Sequence, residues 1–222
     1  MEKEKQKRNR ATTTQHIIEA LEQVLTEKGL DGVGIHAVAE RAGVSKVLIY
    51  RYFGNLEGLV DYYVRMGRLF PHYTPAFLNQ LRPLSRGDMA RLWSKQSIQL
   101  FRRFRSSRAA REVLKATVTE RDALARVVSK AQDEELVELV HQLSFVEEGD
   151  SEATSAVVIG ALSYLTLLAQ NNRPMIGIDL RSEDGWKRIE KAVEVICKAL
   201  SMQAGELPAN QVSIQVADEW VN

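Results

Sequence analysis

Apolar residues recur along this chain at intervals of three and four, the period of a helix with one buried face. Ile17, Ile18, Leu21, Val24 and Leu25 predict a first helix, with Thr12, Thr13 and Thr14 as candidate N-caps and Gly29 as its end. Ile35, Val38, Ala39 and Ala42 predict a second, short helix; Leu48, Ile49 and Phe53 predict a third. Between them, Gly43 stands where a helix end needs positive φ, Val44 fills the elbow, and Ser45 can accept a bond from an orphan N–H of the next helix. Residues 35–53 therefore read as a helix-turn-helix, with Ala39 small where the two helices cross. After Gly54-Asn55, the positions Leu56, Leu59, Val60, Tyr63, Val64 and Met66 predict a connecting helix that runs to about Phe70 and stops at Pro71.

Pro71, Pro75, Pro83 and Gly87 mark breaks. Beyond them Asp88 is placed to cap a helix holding Met89, Leu92, Trp93, Ile98, Leu100, Phe101 and Phe104. Residues 108–117 form a short helix, and 120–145 a longer one with Leu124, Val127, Val128, Leu136, Val140 and Leu143. A helix with no charge after Glu152 covers about 151–170, Gly177 and Gly185 mark a loop, and 186–202 form the last helix. Val212, Ile214 and Val216 alternate too briefly to make a strand. The fold class is therefore all-α. Residues 1–10 are a flexible basic arm, 11–55 a three-helix domain, 56–203 a second helical domain, and 204–222 a tail.

The apolar face of the third helix leaves Ser45, Lys46, Val47, Tyr50, Arg51 and Tyr52 on other sides. Cations, hydroxyls and a methyl-bearing side chain on one exposed face suit the DNA major groove, where base edges accept hydrogen bonds and thymine offers a methyl. His36 opens the preceding helix, and Lys7, Arg8 and Arg10 in the arm can follow phosphates. The bland alternative is an ordinary helical hairpin with a solvated face.

Composition narrows the class. With 222 residues, 45% hydrophobic and 27% charged, the chain can bury a sizeable core. Net charge is only +1, so any nucleic-acid surface must be local. The single cysteine, Cys197, excludes an internal disulfide and a cysteine-clustered zinc site. The charged start MEKEKQKRNR is no secretory signal. Residues 153–172 carry no charge, yet Thr154, Ser155, Ser163, Thr166 and Gln170 interrupt them, which argues against a lipid-facing span and for a helix buried on most sides. A cytoplasmic location without membrane contact follows. His16, His36, His72 and His141 show no metal-ligand spacing, and no glycine-rich phosphate loop follows a strand. Neither a metal, a cofactor nor an enzymatic role is predicted.

The combination of AVAERAGVS, a Tyr50-Arg51-Tyr52-Phe53 ending, a Gly54-Asn55 turn and a connecting helix closely resembles the tetracycline-repressor (TetR) family of transcriptional regulators. The motif covers about the first quarter of the chain. Lys46, Tyr50 and Tyr52 stand at matching positions, and His36 at one that can touch backbone or base. Two positions depart: Val47-Leu48 stand where members commonly carry a small residue and Thr, and Leu56 replaces a lysine that contacts phosphate. The resemblance implies a regulator, most simply a repressor, that binds a double-stranded DNA operator as a homodimer and answers to a small-molecule effector.

The last two helices carry the assembly reading. Val157, Ala161 and Leu165, with the stripe Ile189, Val193, Ile196, Cys197 and Leu200, are the expected dimer interface, forming a four-helix contact with a second copy. A monomer that buries the uncharged helix internally is the alternative. Trp93, Phe101, Phe104, Tyr164 and Leu168 are candidate effector-pocket residues, each equally readable as core. Twelve Lys/Arg between Arg82 and Arg126 face only Asp88, Glu112, Glu120 and Asp122, leaving an anionic ligand open. The competing function is an all-helical small-molecule-binding or adaptor protein whose helix-turn-helix no longer binds DNA.

Overall fold

The computed structural model describes residues 2–66, 85–119, 121–143 and 150–203. They form α1 (Glu2–Lys28), α2 (Ile35–Ala42), α3 (Lys46–Phe53), α4 (Leu56–Arg65), α5 (Arg86–Ser106), α6 (Arg108–Thr119), α7 (Ala123–Leu143), α8 (Ser151–Gln170) and α9 (Glu183–Gln203), with a 3-10 turn at Leu30–Gly32. The fold is all-α; among the described residues the only extended pairing is an isolated bridge between Met175 and Ile178. The expected breaks at Pro71, Pro75 and Pro83, the end of α4 near Phe70, and the tail with Val212, Ile214 and Val216 lie outside the described residues.

One continuous core joins the N-terminal helices to the rest. Ile17, Ile18, Leu21 and Leu25 of α1, Val38 of α2 and Ile49 of α3 are essentially inaccessible. They share a cluster with Leu59, Tyr63 and Val64 of α4, Phe104 of α5, and Val113 and Leu114 of α6. α1 packs on α2 and α6, while α4 packs on α3 and α7. The helix-turn-helix is thus gripped from two directions, and its short helices gain the cover that about 50 residues cannot supply alone.

Several boundaries differ from the pattern-based reading. The segment expected to be a flexible arm is the first part of α1, and Thr12, Thr13 and Thr14 lie inside that helix and do not cap it. Glu, Lys, Gln and Arg are good helix formers, so an alternating charged run extends a helix that already has a nucleus. The cap of α5 is Ser85, whose hydroxyl accepts from the Asp88 N–H while the Asp88 carboxylate accepts from the Ser85 N–H. Asp88 is the third helical residue of that reciprocal box. Gly87 and Gly185 sit in first helical turns. At Gly185 a Cβ would meet the Asp179 carbonyl oxygen at 2.0 Å, so glycine answers a close backbone approach and not a break.

The uncharged helix is also not buried on most sides. Only 28% of its apolar window is covered within the protomer. Its polar residues Ser155 and Thr166 face inward, the Thr166 hydroxyl donating to the Leu162 carbonyl at 2.8 Å, while Val157 is 73% exposed. Ala153, Ala156, Gly160, Ala161 and Tyr164 are exposed with it. In α9 the expected stripe divides: Val193 and Cys197 are buried in their own protomer, Ile189 and Leu200 are half-buried against its core, and Ile196 is exposed beside Val195 and Met202. The side chains of Val193 and Cys197 are therefore not available to a partner. Burial pushes the Cys197 thiol up to about 11, which leaves it protonated and inert at neutral pH.

α9 is held to α5 by charge as well as by apolar contact. Glu190 accepts from Arg102 at 2.8 and 2.5 Å and from Arg105 at 3.3 Å. The Arg102 hydrogen bond holds the Glu190 carboxyl below its ordinary value of 4.5. A depressed folded-state pKa adds stability that is complete above the unfolded value and lost as pH falls through the folded value. Glu190→Gln is thus expected to lower the melting temperature at pH 7 and to flatten its decline below about pH 4.5. Thermal melts from pH 3 to 7 check this; parallel curves for both proteins would refute it.

Candidate nucleic-acid interface and ligand cavities

The orientation of α3 follows from its two ends and one anchor. The Ser45 hydroxyl accepts from the Leu48 N–H at 3.3 Å, Gly43 adopts φ 64° and donates back to the Ala39 and Glu40 carbonyls, and Ile49 is sealed in the core. Phe53 extends that buried side, its ring meeting Tyr62 edge-on at 5.3 Å. With this side fixed, Lys46 and Arg51 are exposed, Val47 is 74% exposed and Tyr50 48%. α3 carries no acidic residue. The Lys46 ammonium lies 3.2 Å from His36 Nε2, so the first turns of α2 and α3 present one continuous surface.

Two further contacts steady that surface. Arg41 of α2 donates to both carboxylate oxygens of Glu27 and to Gln23 of α1, which sets α2 against its support. Arg10 lies 5.1 Å over the Tyr52 ring, so Tyr52 is half-buried as a platform for a cation and not a free member of the exposed face. Lys7 and Arg8 fall in the first turns of α1, and their side chains lie outside the described ones. Of the two departures, Leu56 is half-buried against the core, so α4 begins on an apolar anchor capped by Asn55, whose side chain accepts from the Gly58 N–H at 2.7 Å.

Arg65, at the other end of α4, was not singled out by pattern. Its guanidinium donates to both Asp61 oxygens at 2.9 and 3.0 Å and to Glu134 of α7, with Glu135 at 3.7 Å. The Glu134 bond is the main cause that raises the Arg65 pKa. Sequence shows the i,i+4 pair Asp61–Arg65 but not the carboxylates 69 and 70 positions away, which only the packing of α4 on α7 supplies.

The candidate pocket residues are not brought together around a cavity. Trp93, Phe101, Phe104 and Leu168 are nearly fully buried, and the Phe101 and Phe104 rings touch at 5.6 Å between centroids, filling the core. Tyr164 is 53% exposed on α8. A cleft of about 810 Å³ instead runs between α5 and α9, with Arg91, Lys95 and Ile98 on one wall and Val195, Lys198 and Met202 on the other. A cavity of about 500 Å³ lies at the α5–α6 corner. Among the described residues no three His, Cys, Asp or Glu side chains gather as metal ligands.

Comparison with known proteins gives the same architecture. Residues 17–63 match the family model described as bacterial regulatory proteins, tetR family. No curated protein matches the chain. The fatty acid degradation regulator FadR from Bacillus halodurans is 20% identical over 87% of this chain and 99% of its own, with a TM-score of 0.57. A TetR-like transcriptional regulator from Rhodococcus sp. RHA1 is 19% identical over 88% and 98%, with a TM-score of 0.50. FadR from Bacillus subtilis, solved in complex with stearoyl-CoA, is 17% identical over 83% and 97%, also at 0.50. Residues 17–63 are thus similar to the N-terminal domain of the tetR family of bacterial regulatory proteins, and the described chain shares its fold with these solved regulators.

Proposed function

We propose that this protein is a sequence-specific, DNA-binding transcriptional regulator that binds a palindromic operator as a homodimer and is released from it by a small-molecule effector. The observation that carries the reading is the exposed, acid-free face of α3, where Lys46, Val47, Tyr50 and Arg51 stand clear while Ile49 and Ser45 lock the helix in place. Lys46 and Arg51 meet phosphate or guanine, Tyr50 donates from its hydroxyl, and Val47 meets a thymine methyl. Two copies related by a two-fold axis place two such helices about 34 Å apart, one turn of DNA. The exposed apolar faces of α8 and α9 supply the surface for that pairing.

The effector acts on the α4 hinge. α4 touches the recognition helix at one end and is tied to α7 through Arg65 at the other, so a shift of α7 changes the spacing of the two recognition helices. Inverting a 99:1 population requires about 5.5 kcal/mol of preference for the DNA-incompetent state. The Bacillus subtilis neighbour solved with stearoyl-CoA supports an effector-controlled mode for this fold. On this reading the protein is cytoplasmic and has no catalytic role.

The test is a fluorescence-anisotropy titration on the DNA flanking the protein's own gene and on a scrambled duplex, at two salt concentrations. Selective binding to the first is expected, because a basic surface alone binds both. Lys46→Ala should weaken binding to every duplex and reduce the salt slope by about 1, while Tyr50→Phe should cost the cognate duplex selectively, by about 1 kcal/mol. Unchanged affinity in both variants would show that the assigned face is wrong. Equal, weak binding to both duplexes would favour a small-molecule-binding or adaptor protein that has left DNA.

A further inference from the structure

Four arginines from three segments line the cavity at the α5–α6 corner. Arg105 closes α5, Arg108 and Arg111 open α6, and Arg181 precedes α9; Glu112, Gln170, Glu183 and Trp186 complete the working wall of a space of about 500 Å³. Four positive and two negative side chains line it, and Glu190 and Asp179 lie beside two of the arginines. The charges are not evenly satisfied. Arg105 donates to Glu190 at 3.3 Å and lies 4.0 Å over the Trp186 ring, and Arg181 is 3.5 Å from Asp179. Arg108 is exposed and Arg111 half-buried, and neither has a carboxylate within ion-pair distance among the described residues. Arg111 donates to the Arg105 main-chain carbonyl, which aims its guanidinium along the same corner.

We propose that this corner binds the phosphoryl group of a small molecule. A guanidinium is a planar fork that donates two parallel bonds to a phosphate or carboxylate, and two forks without a carboxylate partner suit an acceptor with several oxygens. A phosphate monoester carries about −1.5 to −2 at neutral pH and can meet both Arg108 and Arg111, the two guanidiniums without a carboxylate within ion-pair distance. The volume lies within the range of about 300–1,000 Å³ typical of small-molecule pockets. Trp186 adds an apolar surface for the rest of the molecule, its indole N–H being already given to the Leu180 carbonyl at 2.6 Å. Burial pushes the Arg105 guanidinium pKa down despite the neighbouring Glu190. The site is separate from the α3 face and from the α5–α9 cleft, and the inference does not depend on operator binding.

The test uses the full-length protein without DNA. Inorganic pyrophosphate, as the probe, is titrated calorimetrically at constant ionic strength balanced with sodium chloride. Saturable binding with one site per chain is expected, and Arg108→Gln and Arg111→Gln should each weaken it about tenfold or more, the scale of one lost charge-assisted bond. Arg108 is exposed, so its variant keeps the fold; circular dichroism verifies both. A double variant on the DNA face, Lys46→Ala with Arg51→Ala, should bind pyrophosphate as the parent does. Absence of saturable heat, unaltered affinity in both arginine variants, or loss of binding in the DNA-face variant would each overturn the assignment.

Discussion

Val157→Glu combined with Ile196→Glu is expected to abolish the proposed dimer and to lower operator affinity by on the order of a hundredfold or more. Both residues lie on faces that the protomer leaves uncovered, Val157 at 73% and Ile196 at 46% exposure. Small neighbours Ala153, Ala156 and Gly160 let another helix approach α8 closely, and Val195 and Met202 flank Ile196 on α9. An interface built on a two-fold axis repeats each substitution, so the pair buries four carboxylates with no cation assigned to them. Because neither position supports the protomer's own core, the monomer should keep its helical content. The loss on DNA follows from halving the contacts: specific complexes exceed non-specific ones by about 10³–10⁷, and a single half-site retains only part of that margin. Sedimentation at micromolar concentration and anisotropy on the same samples check both halves. A parent protein that already sediments as a monomer would end the two-half-site mechanism.

Ile49→Ala should destabilise the protein by about 2–5 kcal/mol, the range for truncating a buried aliphatic side chain to alanine. Ile49 is completely inaccessible and belongs to the same cluster as Leu21, Leu59 and Phe104, so the cavity it leaves lies where α3 meets its supports. α3 is eight residues long and held by this anchor, by Phe53 and by the Ser45 cap. Losing the anchor releases the recognition face, and operator binding should fall with stability. Val47, two residues earlier and 74% exposed, provides the contrast. Val47→Ala should change stability by no more than about 0.5 kcal/mol and act on DNA selectivity alone. Urea unfolding followed by circular dichroism measures the first effect and duplex competition the second. A loss below about 1 kcal/mol for Ile49→Ala would show that α3 is seated by something other than this side chain.

What the chain encodes locally could be read without coordinates. Gly43, Val44 and Ser45 define the elbow because positive φ, a small apolar plug and an N-cap are properties of neighbouring residues. Ile35, Val38 and Ile49 fall on buried faces because helical period alone places them there. The all-α class and the limits of α8 come from the same source. The arm was misread for a matching reason: composition describes solvation, while continuation of α1 depends on the nucleus that follows it.

Tertiary structure decided everything that required choosing between two partners. An apolar stripe shows that a face is covered, not by what; hence Val193 and Cys197 turn to their own α5 while Val157 and Ile196 are left outward, although all four sit on similar stripes. Trp93, Phe101 and Phe104 read equally well as pocket or core until their packing closes the space. The Arg65 tie to Glu134 and the meeting of Arg181 with Arg105, Arg108 and Arg111 join residues far apart in the chain. Charge along a sequence carries no information about such distances, because ion pairs and anion sites depend on separation in space, and that separation exists only once the helices have packed.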